Sequence, residues 1–142
     1  MNDCSTHCRL MDAAERLFAE RGFDAVSVRD IAAAADCNLA AVNYHFQGKE
    51  NLYLEILRRR LGPKREKLLA ALDRVESAPA DAPRLEMLLR AFVRVHLEDA
   101  LISDGSLMGL KLISREMSEP QHGAVVVVQE LIAPVPVSYT HL

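Results

Sequence analysis

Two apolar stripes at helical spacing stand three residues apart in this chain. Val28, Ile31, Ala32 and Ala35 form the first; Leu39, Val42 and Phe46 form the second, after the break "DCN" at 36–38. Helices this short are unstable alone in water, so neighbouring elements must hold both. The break is itself specified: Asp36 and Asn38 tolerate turn geometry, and Asn38 is a good cap for the second stripe's helix. "SVRD" opens the earlier segment, where Ser27 can cap the helix while Asp30 returns the bond and suits the positive helix end.

The flanking sequence supplies the supports. Leu10, Ala14, Leu17, Phe18 and Arg21 mark a preceding helix that Gly22 can stop in the left-handed conformation. Gly48 ends the third helix, and Lys49 and Glu50 begin a fourth with the stripe Leu52, Tyr53, Ile56 and Leu57. Gly62-Pro63 predicts a break or kink there, with a further helix over 64–76 carrying Leu68, Leu69, Leu72 and Val75. "SAPADAP" at 77–83 reads as a loop. The clearest apolar stripe lies over 84–102: Leu85, Leu88, Leu89, Phe92, Val93 and His96. "SDGS" turns the chain at 103–106, and "LMGLKLISREMSE" reads as a helix stopped by Pro120. The run "GAVVVVQELIAP" favours a strand by propensity, but no partner strand exists elsewhere, so a helix is the better reading. An all-α fold results, and its 142 residues suffice for one core or two small helical units sharing one.

Composition narrows the function. No stretch approaches the roughly 18 apolar residues of a membrane span, and "MNDCSTHCRL" has no apolar signal core. An odd count of three Cys without a secretory signal points to a reducing compartment, so a cytoplasmic location is expected. The net charge of −3 argues against indiscriminate coating of nucleic acid. Residues 1–65 hold ten Lys or Arg against nine acids, whereas 66–142 hold seven against eleven. The cations at Arg58, Arg59, Arg60, Lys64 and Arg65 suggest an N-terminal part that meets an anion.

Two short helices joined by a tight turn and braced by a preceding helix make a helix-turn-helix, whose second member lies in the DNA major groove. Helix three fits that task. Ala40 and Ala41 let its backbone approach the groove, and Asn43 can pair twice with an adenine edge. Tyr44 and His45 offer a hydroxyl and an imidazole at phosphate height, and Lys49 at a helix start reaches another phosphate.

The segment "FAERGFDAVSVRDIAAAADCNLAAVNYHFQGKENLYLEIL" resembles the N-terminal DNA-binding region of the TetR family of bacterial repressors, over residues 9–60 or so. The resemblance implies a flexible arm (1–8), a helix-turn-helix domain (9–48), a linker helix (49–62) and a partial helical effector and dimerisation domain (63–133). It implies no enzyme but a ligand-responsive regulator, expected to be a repressor released from a palindromic operator by a small molecule. The full-length protein would be a homodimer without a cofactor. Ser27, Arg29, Asn38, Ala40, Ala41, Asn43, Tyr44, His45 and Lys49 become the expected DNA-binding residues. Asp36 and Cys37 stand where the family usually has Gly and an apolar residue; Asp tolerates positive φ and a thiol packs as a small apolar group, so the turn should survive. "LMGLKLISREMSEP" also resembles part of a family effector domain. Such chains usually continue further, so this one reads as truncated, and the tail at 134–142 ("PVPVSYTHL") reads as irregular and foreign to the pattern.

Blander readings compete at several positions. Cys4, His7 and Cys8 fall within one helical turn, but a structural metal site needs four ligands and no second Cys pair exists, so no metal is expected. Cys37 reads as a packed thiol rather than a redox sensor. His96 reads first as a core residue with one satisfied hydrogen bond and second as a pocket residue; with Phe92, Met108 and Arg115 it forms the candidate effector set. A small enzyme using Cys, His and Glu lacks any nucleophile–base motif. The remaining alternative is a helical interaction module that has lost specific DNA binding; the joint presence of Asn43, Tyr44, His45 and Lys49 argues against it.

Overall fold

The structure is a computed structural model that describes residues 3–102 and 106–120, with Gly123, Val125 and Gln129 beyond them. Among the described residues it is all-helical: α1 (Asp3–Arg21), α2 (Val28–Ala34), α3 (Leu39–Phe46), α4 (Lys49–Glu76), α5 (Arg84–Ile102) and α6 (Ser106–Ser118). The first three helices and the start of α4 share one core. Leu10, Ala14 and Phe18 of α1 meet Ile31 of α2, Val42 and Phe46 of α3, and Leu52, Ile56 and Leu57 of α4, all essentially removed from water. This burial is what sustains α2 and α3, of seven and eight residues. The second half of α4 lies along α5, and α6 packs on α1 and α5.

Several expectations are corrected. The arm expected over 1–8 is helical from Asp3 onward. Its polar sequence has no apolar stripe, and a tertiary contact helps hold it: the His7 ring lies 4.6 Å from Phe46, and His7 Nε2 is 3.0 Å from Glu55 Oε1. Of the break or kink expected at Gly62-Pro63, the break does not occur: α4 runs continuously for 28 residues with Pro63 inside it and absorbs the expected helix over 64–76. Pro63 is exposed, so water can serve the Arg59 carbonyl that loses its amide donor. Leu39 faces partly outward, at 41% exposure, because Val42 and Phe46 alone complete the inner side of α3.

The cations read as facing an anion are largely turned to the protein. Glu15 is buried, and both its oxygens are bound: Oε2 accepts from Arg59 Nη2, and Oε1 from Arg60 at 2.5 Å. Arg59 also reaches Asp12 at 2.9 Å, and Lys64 is itself buried. This cluster fastens α1 to α4. A second tie joins α6 to the first core, where Tyr53 donates to buried Glu116 at 2.5 Å and the Gly123 amide donates to the same carboxylate at 2.8 Å. Burial first, and then the Glu116 carboxylate, raise the Tyr53 hydroxyl far above its ordinary pKa, so it remains a donor. Val125 is helical and exposed. The rest of the valine run, the turn at 103–105 and the tail at 134–142 lie outside the described residues.

Candidate nucleic-acid interface

The sequence between α1 and α3 folds as its local chemistry dictates. Gly22 takes φ +85 and ends α1. Ser27 Oγ accepts from the Asp30 amide at 3.1 Å, and Asp30 Oδ2 accepts from the Ser27 amide at 2.9 Å and hydroxyl at 2.8 Å. These bonds, the backbone one first, hold the Asp30 carboxyl below the usual carboxylate range. Asp36 adopts φ 50, as its residue type allows, and the Cys37 amide closes the turn on Ala32 O at 2.9 Å. The Cys37 thiol points at Ala35 O, 3.3 Å away, and packs against the core. Asn38 Oδ1 then caps α3 through the Ala40 amide at 3.1 Å. At its far end α3 closes not on Gly48 but on Gln47, in the left-handed region at φ 60.

The outcome is a short helix with one buried side and one presented side. Val42 and Phe46 are buried; Asn38, Ala40, Asn43 and Tyr44 are exposed, Tyr44 to 75%. Ala41 is half-buried against the core. Ser27 and Arg29 add exposed side chains from α2, although the Ser27 hydroxyl already serves as the cap. His45 is half-buried between rings, with Tyr44 at 5.0 Å and His7 at 5.9 Å. His7 is therefore a brace behind the end of α3, 38 residues away in sequence, and no local pattern announces it.

Lys49 departs from its expected place. Its ammonium donates to Phe23 O at 3.0 Å and Val26 O at 3.1 Å and lies 4.1 Å from the centre of the Phe23 ring. Two carbonyls and a ring face occupy a group that has three N–H donors, so the side chain pins the α1–α2 loop.

The four candidate effector residues are not brought together. Phe92 lines a groove between α4 and α5. His96 turns back on its own helix, with Nδ1 2.8 Å from Phe92 O. Met108 packs against the first core, and Arg115 reaches Glu20 O at 3.4 Å beside Gly22. Among the described residues no three His, Cys, Asp or Glu side chains gather as metal ligands, and no helix is long and apolar enough to cross a membrane. Glu15 was discoverable: an acid between Met11 and Phe18 interrupts the apolar side of α1 and demands cations nearby.

Residues 10–56, which contain α2, α3 and the turn between them, match the family described as bacterial regulatory proteins, tetR family. Over 68 residues the chain is 46% identical to the transcriptional repressor KstR2 of Rhodococcus jostii, covering 45% of this chain and 33% of that protein. Over 144 residues it is 31% identical to the transcriptional dual regulator CecR of Shigella flexneri, covering 94% of this chain and 60% of that one. The crystal structure of the multidrug binding protein EbrR, complexed with imidazole, superposes with a TM-score of 0.57 at 25% identity, over 87% of this chain and 61% of EbrR. The chain thus spans between a third and three fifths of these proteins' lengths. KstR2 and CecR are both described as transcriptional regulators.

Proposed function

The chain belongs to the tetR family of bacterial regulatory proteins, and on that premise we propose that it is a DNA-binding transcriptional repressor released from a palindromic operator by a small molecule. The observation that carries DNA reading is the presented side of α3, where Asn43 and Tyr44 stand exposed on a helix whose other side is anchored by Val42 and Phe46. A bare Asn and Tyr on a rigid, capped helix of this length match what the major groove accepts. Arg29 and Asn38 flank them with a guanidinium and an amide suited to phosphates.

Repression is the role that KstR2's description supports, while CecR is described as a dual regulator. A ligand-binding role draws support from EbrR, a multidrug binding protein, and from the space between α4 and α5 in this chain. The ties of α6 to Tyr53, Glu20 and Gly22 offer a route from that half to the DNA-reading helices. In the full-length protein, a homodimer would set two copies of α3 about 34 Å apart, one per half-site. Sequencing the DNA fragments selected from a random pool by the purified full-length regulator tests the reading. Recovery of a palindrome with half-sites about ten base pairs apart is the expected result. A pool that stays unenriched rejects specific DNA binding.

A further inference from the structure

The joint after α3 is unpacked. Phe46 is the helix's last residue, and the link to α4 consists of Gln47 at φ 60 and Gly48 at φ 132. Nothing stands within 4 Å of where a Cβ on Gly48 would lie, and Gly48 starts α4 without a side-chain cap. Side chains must therefore set the angle of the last turn of α3, residues 43–46. That angle matters, because hydrogen bonds to base edges weaken steeply when misaligned. One such side chain comes from outside the helix-turn-helix. His7 stands on α1, about one turn before the buried stripe begins at Leu10. Its ring lies 4.6 Å from that of Phe46, tilted by 32°, and 5.9 Å from that of His45, edge-on at 81°. His45 in turn meets the exposed Tyr44 ring edge-on at 5.0 Å. These are separations at which ring pairs attract. Behind the ring, His7 Nε2 is 3.0 Å from Glu55 Oε1 of α4. A carboxylate only accepts, so Nε2 holds the proton and the bond fixes the plane of the ring.

We propose that His7 is a positioning residue for DNA reading: oriented by Glu55, it sets the angle at which the last turn of α3 presents Asn43 and Tyr44. The proposal rests on the DNA-binding reading above and adds to it a residue that acts through α3. Three helices meet at this imidazole: α1 carries it, α4 orients it and α3 rests on it. The residue type fits that double task. A phenylalanine there would stack on Phe46 but offer Glu55 no donor, and a glutamine would offer the donor without the ring face. If the contact served only to hold the start of α1, an apolar ring would do as well. The His7–Glu55 pair, with side chains 34% and 43% exposed, would then add little. The two accounts part on operator affinity rather than on stability.

The ratio of operator affinity to random-DNA affinity, measured for the full-length regulator at one salt concentration, is the readout. A lost surface charge changes attraction to both DNAs alike and cancels in that ratio. His7→Phe and Glu55→Ala should each lower it about fivefold or more, the scale of one hydrogen bond. Glu55→Gln, which keeps an acceptor, should retain most of it. The double variant His7→Phe with Glu55→Ala should lose no more than either single one, because both break the same bond. Every variant is compared at a temperature where it is folded, and Glu55→Ala, at a partly exposed position, carries the comparison if His7→Phe does not fold. A Glu55→Ala ratio within about twofold of the parent overturns the proposal. So does a salt slope that falls by about one unit with equal losses on both DNAs, which would make His7 a phosphate contact. NMR of the 142-residue chain without DNA gives an independent reading. Glu55→Ala, which leaves every ring in place, should shift the Tyr44 and His45 ring signals in the parent but not on a His7→Phe background. Shifts of equal size on both backgrounds overturn the proposal. Shifts that pass through His7, together with a random pool that yields no operator, reject DNA reading and leave the setting of α3 by His7 standing.

Discussion

On α3, Asn43 and Tyr44 project into solvent while Lys49, a few residues on, is folded back onto Phe23 O and Val26 O. The two kinds of residue should therefore fail differently. Asn43→Ala should cost about 1–3 kcal/mol on the selected operator and far less on random DNA, because edge contacts are lost and phosphate contacts are kept. Filter or gel binding to both DNAs at one salt concentration checks this; equal losses would remove Asn43 from base reading. Lys49→Met should instead lower folding stability by about 1.5–3 kcal/mol, the scale of hydrogen bonds made by a charged donor. Its salt slope on DNA should stay unchanged, whereas a fall of about one unit would return Lys49 to the phosphates. The caps obey the same logic of position. Asp30 is held below the usual carboxylate range in the folded chain, so its contribution is complete above the unfolded pKa and is lost as the pH falls through the folded value. In an NMR titration, Ser27→Ala, which removes the hydroxyl but keeps the backbone amide, should move the Asp30 pKa part of the way up toward the ordinary value, and an unmoved titration would show that the hydroxyl bond is not among its causes.

The elements differ in how far the sequence exposes them. Ser27 with Asp30, Asn38 with Ala40, Asp36 in the turn and Gly22 at the end of α1 are all settled within a few residues, and all were legible. The start of α1 and the continuity of α4 were not. Each depends on groups far off in sequence: His7 against Phe46 and Glu55, and Arg59 and Arg60 against Glu15. The arginine pair looked like an anion-facing patch because a charge count cannot see a buried acid 44 and 45 residues away. Of the candidate site, the exposed side of α3 was readable from helical periodicity, while the inward turn of Lys49 was not, since a carbonyl leaves no mark in the sequence. The Glu15 cluster yields the prediction at this scale. Glu15→Ala should destabilise the chain by about 3 kcal/mol, near the low end for breaking a buried pair, because Arg59 and Arg60 keep 34% and 27% exposure and can rehydrate. Urea unfolding followed by circular dichroism measures it. A loss under about 1 kcal/mol would mean that the cluster adds no more than a surface ion pair does.

Across the whole molecule, the quality of burial falls from the N-terminal core to α5. The first core removes its large side chains from water, whereas on α5 Val93, Leu97 and Leu101 remain about half to four-fifths exposed. These three lie away from the α4 groove and, like Leu107 and Met117 of α6, face outward. An apolar surface of this kind favours self-association without being needed for the fold of the single chain. The double substitution Val93→Glu with Leu97→Lys should therefore leave stability within about 0.5 kcal/mol of the parent, as surface changes usually do. The introduced acid and base would also stand four residues apart in the favourable order on the helix, which offsets the lost leucine packing. Sedimentation velocity at two concentrations separates the cases: the parent should broaden or shift with concentration, and the double variant should run as a monomer at both. A parent that is already monomeric throughout would show that this surface is inert. A double variant that unfolds would instead place Val93 and Leu97 among the contacts that hold α5 to α4.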